Sequence, residues 1–160
     1  MINLLSNKVI NLLDQTNSNL LNEDDFYKVF LKDLNKASSE VIIESPYITT
    51  KRLTTLLPTL TKLKSHHIRL IISTKDPIEL DDYLAKQSTA AIAKLLSLGI
   101  QVIYIKQLHR KLAIIDRNIL YEGSLNILSQ SNSKEIMRRI ISTKLSWQII
   151  RFNGLDEIID

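Results

Sequence analysis

The sequence contains no cysteine, and only three glycines, three prolines and one tryptophan among its 160 residues. Without cysteine, the chain cannot use a thiolate nucleophile, form a disulfide or bind zinc through sulfur. Any metal site would have to be built from histidines and carboxylates. The chain has no run of eighteen apolar residues that could span a membrane, and its N-terminus lacks a secretory-signal pattern. We therefore expect a cytoplasmic protein without stable membrane insertion.

The composition is that of a globular protein, with 44% hydrophobic and 24% charged residues. A length of 160 residues is enough for one continuous core but not for two independent ones. The net charge is only +4. Several basic residues are concentrated in the last third of the chain: Lys134, Arg138, Arg139, Lys144 and Arg151. Such a surface suits a polyanionic partner but does not require one.

The apolar periodicity predicts alternating helices and strands. Residues 1–22 are expected to form a peripheral helix followed by a polar linker, and a second helix begins near Asp24. The segments "EVIIESPYI", "IRLIIST" and "IQVIYI" read as buried strands separated by helices, the last of which ends at Gly99. This alternation predicts an α/β fold with a mixed, largely parallel central sheet and helices on both faces.

The alternation of strand and helix stops after the third strand. "KLAIID" and "ILYEGS" are two apolar runs separated by "RN", which is typical of a hairpin. "IMRRIIST" is expected to be a further strand, and "KLSWQIIRFNGLDEII" a closing helix. We expect fraying at Gly154, because glycine weakens a helix interior.

The first arm of this hairpin begins with unusual polar residues. If "LHRKLAIID" is extended, His109 and Lys111 share one face, and Arg110 points to the other. A neutral imidazole is a competent nucleophile toward phosphorus, and an ammonium group can hold phosphate oxygens. His109 and Lys111 could therefore act on one ligand.

The second arm ends in a complementary set of small and polar residues. Ser124 and Asn126 can donate hydrogen bonds to the same phosphate oxygens. Gly123 would let the backbone turn tightly beside the ligand, where a side chain would crowd it. Asp116, at an odd offset of five from Lys111, should point to the opposite face of a regular strand and is read as structural support.

The stretch "HRKLAIIDRNILYEGSLN" resembles the HKD motif of the phospholipase D superfamily. The matched residues are His109, Lys111, Asp116, Gly123, Ser124 and Asn126. "VIIESPYIT", "IRLIIST" and "LLSLGIQVIYI" are similar to the core strands and helix that precede the motif in that family, and "SKEIMRRI" is similar to the segment that follows it. The resemblance covers about residues 24 to 142 and implies a single phospholipase D-like domain over residues 1–160.

This resemblance implies a mechanism that uses no metal ion and no other cofactor. Family members attack a phosphodiester with the motif histidine and hydrolyse the resulting phosphohistidine with water. Carried over, His109 is the nucleophile of one motif copy and the general acid of the other, and Lys111, Ser124 and Asn126 bind the phosphate. Glu135 would accept a hydrogen bond from the far imidazole nitrogen and fix its tautomer.

Two motif copies meet at one active site in this family, yet the chain carries one. The second candidate, "SHHIR" at His66 and His67, has no lysine two residues further on. The resemblance therefore implies a homodimer in which two copies of His109 face each other.

Three functions remain open from the sequence. The preferred one is a metal-independent DNA or RNA endonuclease, with DNA favoured because the end of the motif region is similar to domains attached to helicases and ATPases of DNA metabolism. The alternatives are a phospholipid hydrolase of the cardiolipin type and a non-catalytic nucleic-acid-binding module.

Overall fold

The computed structural model describes residues 17–159. The seven strands are β1 (Ser18–Asn22), β2 (Glu40–Glu44), β3 (Arg69–Thr74), β4 (Gln101–Tyr104), β5 (Leu112–Ile115), β6 (Ile119–Gly123) and β7 (Ile136–Ile141). The helices are α1 (Glu23–Leu34), α2 (Thr50–Ser65), α3 (Asp82–Ser97), α4 (Thr143–Phe152) and α5 (Asp156–Ile159), with a short 3₁₀ turn at Pro77–Glu79. The helix expected before residue 17 lies outside the described residues.

All seven strands form one mixed sheet in the order β1-β7-β6-β5-β2-β3-β4. The mixed α/β class predicted from the sequence is confirmed. Parallel pairing is confined to β2-β3 and β3-β4, which are joined through α2 and α3. The other four pairs are antiparallel, so the sheet is less parallel than predicted. The reason is that the strands after β4 follow one another through connections without a helix, and such connections reverse the chain.

Helices cover both faces of the sheet, as predicted. On one face, buried residues of α1, α2 and α3 pack against alternate side chains of β2, β3 and β5, among them Val41, Ile43 and Ala113. On the other face, α4, α5 and the turn between them contribute Ile150, Ile159 and Leu155 to a smaller cluster with Ile42, Ile71 and Ile114. The strict alternation of β2 between the two clusters explains why this strand is buried along its whole length.

A buried polar network ties α1 to the antiparallel half of the sheet. The Tyr121 hydroxyl donates to the carboxylate of Asp33, and Arg139 Nε donates to the same carboxylate at 2.6 Å. The Tyr121 ring also packs edge-on against the Phe30 ring, with 5.2 Å between the ring centroids. Burial, and then the bond to Asp33, raise the pKa of Tyr121, so the phenol stays protonated as a donor.

Two expectations for the edges of the sheet were wrong. Residues 18–22 are not a linker but the edge strand β1, which pairs with β7 from Ser18↔Ile140 to Asn22↔Ile136. β4 was expected to be buried, yet it forms the opposite edge and its Tyr104 is half exposed. Both errors arise because an apolar run does not reveal which strands will have two neighbours.

Glycines divide the helices largely where the sequence indicated. Gly99 follows α3 with a φ of 71°, the left-handed conformation predicted for it. Gly154 has a φ of 63° and separates α4 from α5, so the closing helix is interrupted rather than frayed. Within residues 17–159, none of the helices is both long and apolar enough to cross a membrane.

The predicted hairpin is present as β5 and β6, but its turn is displaced by one residue. Asp116 and Arg117 both have a φ of 52°, and Asn118 N donates to Ile115 O at 3.0 Å. These are the features of a type I′ turn, whose twist matches that of the strands it joins. The central residues are therefore Asp116 and Arg117, and not the "RN" pair at positions 117 and 118.

Candidate functional site

Five of the seven predicted site residues lie just beyond the same end of the central strands. The pairs Glu44↔Leu112, Leu112↔Glu122 and Gly123↔Met137 place the end of β2, the start of β5, the end of β6 and the start of β7 next to one another. The chain segments beyond these ends carry five of the predicted residues: His109, Lys111, Ser124, Asn126 and Glu135. Open carboxyl ends of α/β sheets are the usual position of ligand sites.

His109 and Lys111 lie in the extended approach to β5. The His109 side chain is exposed and Lys111 is half-buried. Lys111 Nζ donates to the backbone carbonyl of His109 at 2.9 Å, and Gly123 N donates to the carbonyl of Lys111 at 3.3 Å. These bonds extend the hairpin ladder one residue beyond β5 and leave the imidazole in solvent, where a substrate can reach it.

Arg110 is paired with a buried acid. Its Nε donates to Glu44 Oε2 at 2.7 Å and a terminal nitrogen donates to Glu44 Oε1 at 3.2 Å. The Glu44 side chain is fully buried, so this fork-shaped pair supplies the charge that the carboxylate needs. The pair fixes the backbone between His109 and Lys111. A glutamate ending the apolar strand "VIIE" was the sequence signal for such a partner, and it was missed.

Ser124 makes hydrogen bonds within the fold and is also accessible to a ligand. Its Oγ accepts the N–H of Ile136 at 3.1 Å, and its backbone N–H donates to the Ile136 carbonyl at 3.0 Å. The side chain is exposed. The Ser124 Oγ atom lies 3.5 Å from the Ile136 carbonyl oxygen, a distance too long for a strong hydrogen bond. Ser124 can therefore turn its hydroxyl proton toward a ligand.

Asn126 begins a tight turn. Its backbone carbonyl is hydrogen-bonded within the turn, but its side-chain oxygen is not. The Asn126 carbonyl accepts the N–H groups of Ser129 at 3.1 Å and Gln130 at 2.8 Å. Its Oδ1 atom is buried and has no hydrogen-bond partner within residues 17–159. Native proteins satisfy nearly all such atoms. An amide held in this state at the site is a group that a ligand or a second subunit could satisfy.

Gly123 has a structural role in addition to the one predicted for it. A Cβ atom at this position would lie 2.1 Å from the Ile136 carbonyl oxygen and 2.9 Å from the Met137 Cα. The glycine therefore lets the backbone of β7 approach β6 closely. This strand contact is a second reason for the glycine, beside the predicted turn next to a ligand.

Asp116 lies at the opposite end of β5, in the hairpin turn. Its carboxylate accepts backbone N–H groups from Ser38 at 2.9 Å, Ser39 at 2.8 Å and Glu40 at 3.0 Å. The hydroxyls of Ser38 and Ser39 donate to it as well. Burial alone would raise the pKa of Asp116, but these hydrogen bonds outweigh it and hold the pKa below its ordinary value. The contacts join the turn to the start of β2, away from the site.

Glu135 is positioned through its backbone by a residue that the sequence did not single out. Its N–H donates to Glu23 Oε2 at 3.2 Å, and Lys134 Nζ binds Glu23 Oε1 at 2.8 Å. The bond from Lys134, followed by backbone N–H groups, lowers the pKa of Glu23 to about 2. Within the described chain, no hydrogen bond joins the Glu135 carboxylate to His109. Glu23 is 112 positions from Glu135, and no local pattern links the two.

A cleft of about 700 Å³ opens beside Lys111 and Ser124. Its other charged lining residues are Arg110, Lys134, Arg138 and Glu122, and its apolar lining residues are Leu20, Leu112, Ile136 and Ile149. The cleft thus combines a mainly cationic border with an apolar floor. Across residues 17–159, no group of three or more histidine or acidic side chains converges as a metal site.

A family comparison matches most of the chain. Residues 30–153 fit the model of the family described as "Cardiolipin synthase, PLD-like domain". The matched segment contains all seven predicted site residues. A comparison with curated proteins gives no match.

Solved structures share the fold at low sequence identity. NucT from Helicobacter pylori superposes with a TM-score of 0.70 at 20% identity, with 84% of this chain and 91% of that chain covered. Nuc from Salmonella typhimurium, described as a phospholipase D family member, gives 0.69 at 14% identity, covering 84% and 90%. Phosphatidylserine synthase from Haemophilus influenzae gives 0.70 at 14% identity, but only 38% of that longer chain is covered.

Proposed function

This chain belongs to the phospholipase D superfamily of phosphodiesterases, and we propose from that premise that it is a metal-independent nuclease with a site shared by two subunits. The observation that carries the proposal is the position of the motif residues. An exposed imidazole at His109, the ammonium of Lys111 and the amide of Asn126 all lie at the same end of the sheet.

In the proposed first step, an imidazole nitrogen of His109 attacks the phosphorus atom. A P–N bond forms, the P–O bond to the leaving group breaks, and His109 of the partner subunit donates a proton to the leaving oxygen. Lys111, Ser124 and Asn126 bind the non-bridging oxygens, whose negative charge increases in the transition state. The product of this step is a phosphohistidine and a released alcohol.

The second step reverses the roles of the two histidines. The partner's His109, now neutral, takes a proton from water as the water oxygen attacks phosphorus. The P–N bond breaks, and the first imidazole is restored. A single chain has one His109 and would have a nucleophile without an acid, which is why the mechanism needs a symmetric dimer. Glu135 is proposed to orient the imidazole within this dimer.

Nucleic acid is the substrate class that the surface favours, and DNA remains our preferred form. Lys111, Lys134 and Arg138 border the cleft, and cationic borders suit a repeating phosphate backbone. The chain also spans about nine-tenths of NucT and Nuc but little more than a third of the phosphatidylserine synthase. These likenesses support a compact domain of the Nuc type.

A phospholipid hydrolase is the second candidate. The apolar floor of the cleft, formed in part by Leu20 and Ile136, is the feature that favours it, because acyl chains need apolar contacts that a nucleic-acid backbone does not. The description of the matched family points in the same direction.

The test is to incubate the protein with plasmid, single-stranded DNA, RNA and cardiolipin vesicles in excess EDTA. We expect cleavage of nucleic acid that is lost in His109→Ala and kept in His66→Ala, a control at an exposed turn after α2. Vesicle hydrolysis without nucleic-acid cleavage would assign the second candidate. Cleavage only with added divalent ions would contradict the mechanism, and binding without any cleavage would indicate a non-catalytic module.

A further inference from the structure

A second cavity, of about 570 Å³, lies beside the turn that begins at Asn126. Its walls are the start of α2, the first turns of α3 and residues 129–132. The volume is within the range of small-molecule sites. Unlike the cleft beside Lys111, this cavity is lined mainly by polar and aromatic side chains, including Tyr47, Tyr83 and Gln87.

The cavity adjoins the motif loop through direct backbone contacts. Leu128 N donates to Ser45 Oγ at 3.1 Å, and Thr49 N donates to the Leu128 carbonyl at 2.9 Å. The segment from Ser45 to Thr49, which carries Tyr47, is therefore bound to the loop that follows Asn126. A ligand in this cavity would lie next to a phosphate held by the motif.

Gln87 presents a hydrogen-bond donor whose orientation is fixed. Its Oε1 accepts the Thr50 backbone N–H at 3.1 Å and the Thr50 hydroxyl at 2.5 Å. Because a backbone N–H can only donate, the amide oxygen must face Thr50 and the NH₂ group must face away from it. That NH₂ group has no acceptor within residues 17–159. It is a donor available to a carbonyl or ring nitrogen of a ligand.

Two tyrosine rings line the same cavity. The Tyr83 side chain is 71% exposed on the first turn of α3. Tyr47 is half-buried, and Lys75 Nζ lies 5.1 Å from its ring centroid. An exposed aromatic ring next to a fixed amide donor is the combination that recognises unstacked bases in single-stranded nucleic acids. Lys75 and Lys51, which also borders the cavity, suit the anionic backbone of the same strand.

We propose that this cavity binds one unstacked nucleobase of a single-stranded substrate, adjacent to the phosphate that is cleaved. The base stacks on Tyr83 and accepts a hydrogen bond from the Gln87 amide. A base within a duplex is stacked and paired and cannot enter without being extruded. The protein therefore prefers single strands to duplexes. This inference rests on the proposed nuclease function and names its substrate class.

The experiment measures the anisotropy of labelled oligonucleotides in EDTA, with His109→Ala in every protein to prevent cleavage. The probes are a single-stranded oligothymidine, an abasic strand of the same length and a duplex. The test variants are Tyr83→Ala and Gln87→Glu, which keeps the acceptor for Thr50 but removes the donor. Tyr83→Phe keeps the ring, and Phe152→Ala removes an equally exposed ring, also 71% exposed, on α4.

We expect Tyr83→Ala to raise the Kd for oligothymidine by about 5- to 150-fold, the usual effect of losing one stacked base. Gln87→Glu should weaken the same complex, while Tyr83→Phe and Phe152→Ala should bind as the parent does. The changes at Tyr83 and Phe152 should not affect the abasic strand, because that strand has no base to stack. Unchanged binding in Tyr83→Ala, or an equal loss for the abasic strand, would overturn the base site.

A second readout separates this inference from the proposed function. Hydrolysis of bis(p-nitrophenyl) phosphate in EDTA by proteins that retain His109 tests the phosphodiesterase without any base. If Tyr83→Ala hydrolyses it normally but binds oligothymidine weakly, both proposals are supported. If hydrolysis is normal and oligothymidine binding is unchanged, only the base site is wrong. If neither this ester nor a nucleic acid is cleaved, the function fails and the base site adjacent to a cleaved phosphate fails with it.

Discussion

The two ends of the β5–β6 hairpin differ in how fully their polar side chains are hydrogen-bonded within the protein. At the turn, the Asp116 carboxylate accepts five hydrogen bonds from the segment Ser38–Glu40. At the open end, His109 is exposed and Asn126 Oδ1 has no partner in the described part of the chain. Both ends belong to the same motif, but only at the turn are the polar side-chain atoms fully hydrogen-bonded within the protein.

This difference indicates a division of roles within the motif. A carboxylate whose acceptor sites are filled by backbone N–H groups has little capacity left for a substrate, and its contribution is to stability. Polar groups left without internal partners weaken the fold and are retained where a ligand satisfies them. The motif thus contains residues that hold the hairpin in place and residues that we propose act on the substrate.

The largest expected effect is the loss of activity in His109→Ala. We expect phosphodiester cleavage to fall by at least about a thousandfold, as for other nucleophiles, since no other group at the edge can replace the imidazole. The midpoint of thermal unfolding should change by less than about 2 °C, because the side chain is exposed. A large drop in the midpoint would show that His109 stabilises the fold, and it would contradict the difference between the two ends of the hairpin.

Gly123→Ala should cause the largest loss of stability. Its methyl group would meet the Ile136 carbonyl at 2.1 Å, and separating β6 from β7 should cost about 3 kcal/mol or more. Gly154→Ala is the control, because its Cβ has no neighbour within 4 Å and only the φ of 63° opposes it. We expect that control to cost about 1 kcal/mol. Urea unfolding at neutral pH measures the loss of stability in both variants. Equal losses would contradict the close contact between β6 and β7.

Asp116→Ala should lower the free energy of unfolding by about 2–3 kcal/mol at neutral pH, the range for hydrogen bonds to a charged group. Activity per folded molecule should be retained, the reverse of His109→Ala. The folded state lowers the pKa of Asp116. Its contribution is therefore complete above the unfolded value of 3.8 and is lost as the pH falls through the lower folded value. The gap in stability between parent and variant should narrow with acid, and a constant gap would contradict the charged role.

The sequence predicted much of the fold because its signals are local. The apolar runs located the strands, the hairpin was recognised from "KLAIID" and "ILYEGS", and Gly99 marked the end of α3. It did not predict that residues 18–22 form the edge strand β1, because the partner strand β7 lies more than a hundred residues away. It also overestimated parallel pairing, since strand order depends on how the segments meet in space.

The same limit applies to the site. The segment that resembles the HKD motif is compact in sequence, so the proposed site residues His109, Lys111, Ser124 and Asn126 all come from one stretch of the chain. Their supporting contacts come from distant positions, including Glu44 beneath Arg110 and Glu23 beside Glu135. Charged residues of these types are common on surfaces, and only the fold brings them to the motif.

The most direct test of the shared site is to mix native and His109→Ala chains, let the subunits exchange, and measure phosphodiester cleavage in EDTA at constant total protein. Because each site would need two copies of His109, activity should follow the square of the native fraction, with about a quarter remaining in an equal mixture. A linear decrease, with about half remaining, would mean that each chain acts alone, and it would contradict the two-fold site on which the mechanism depends.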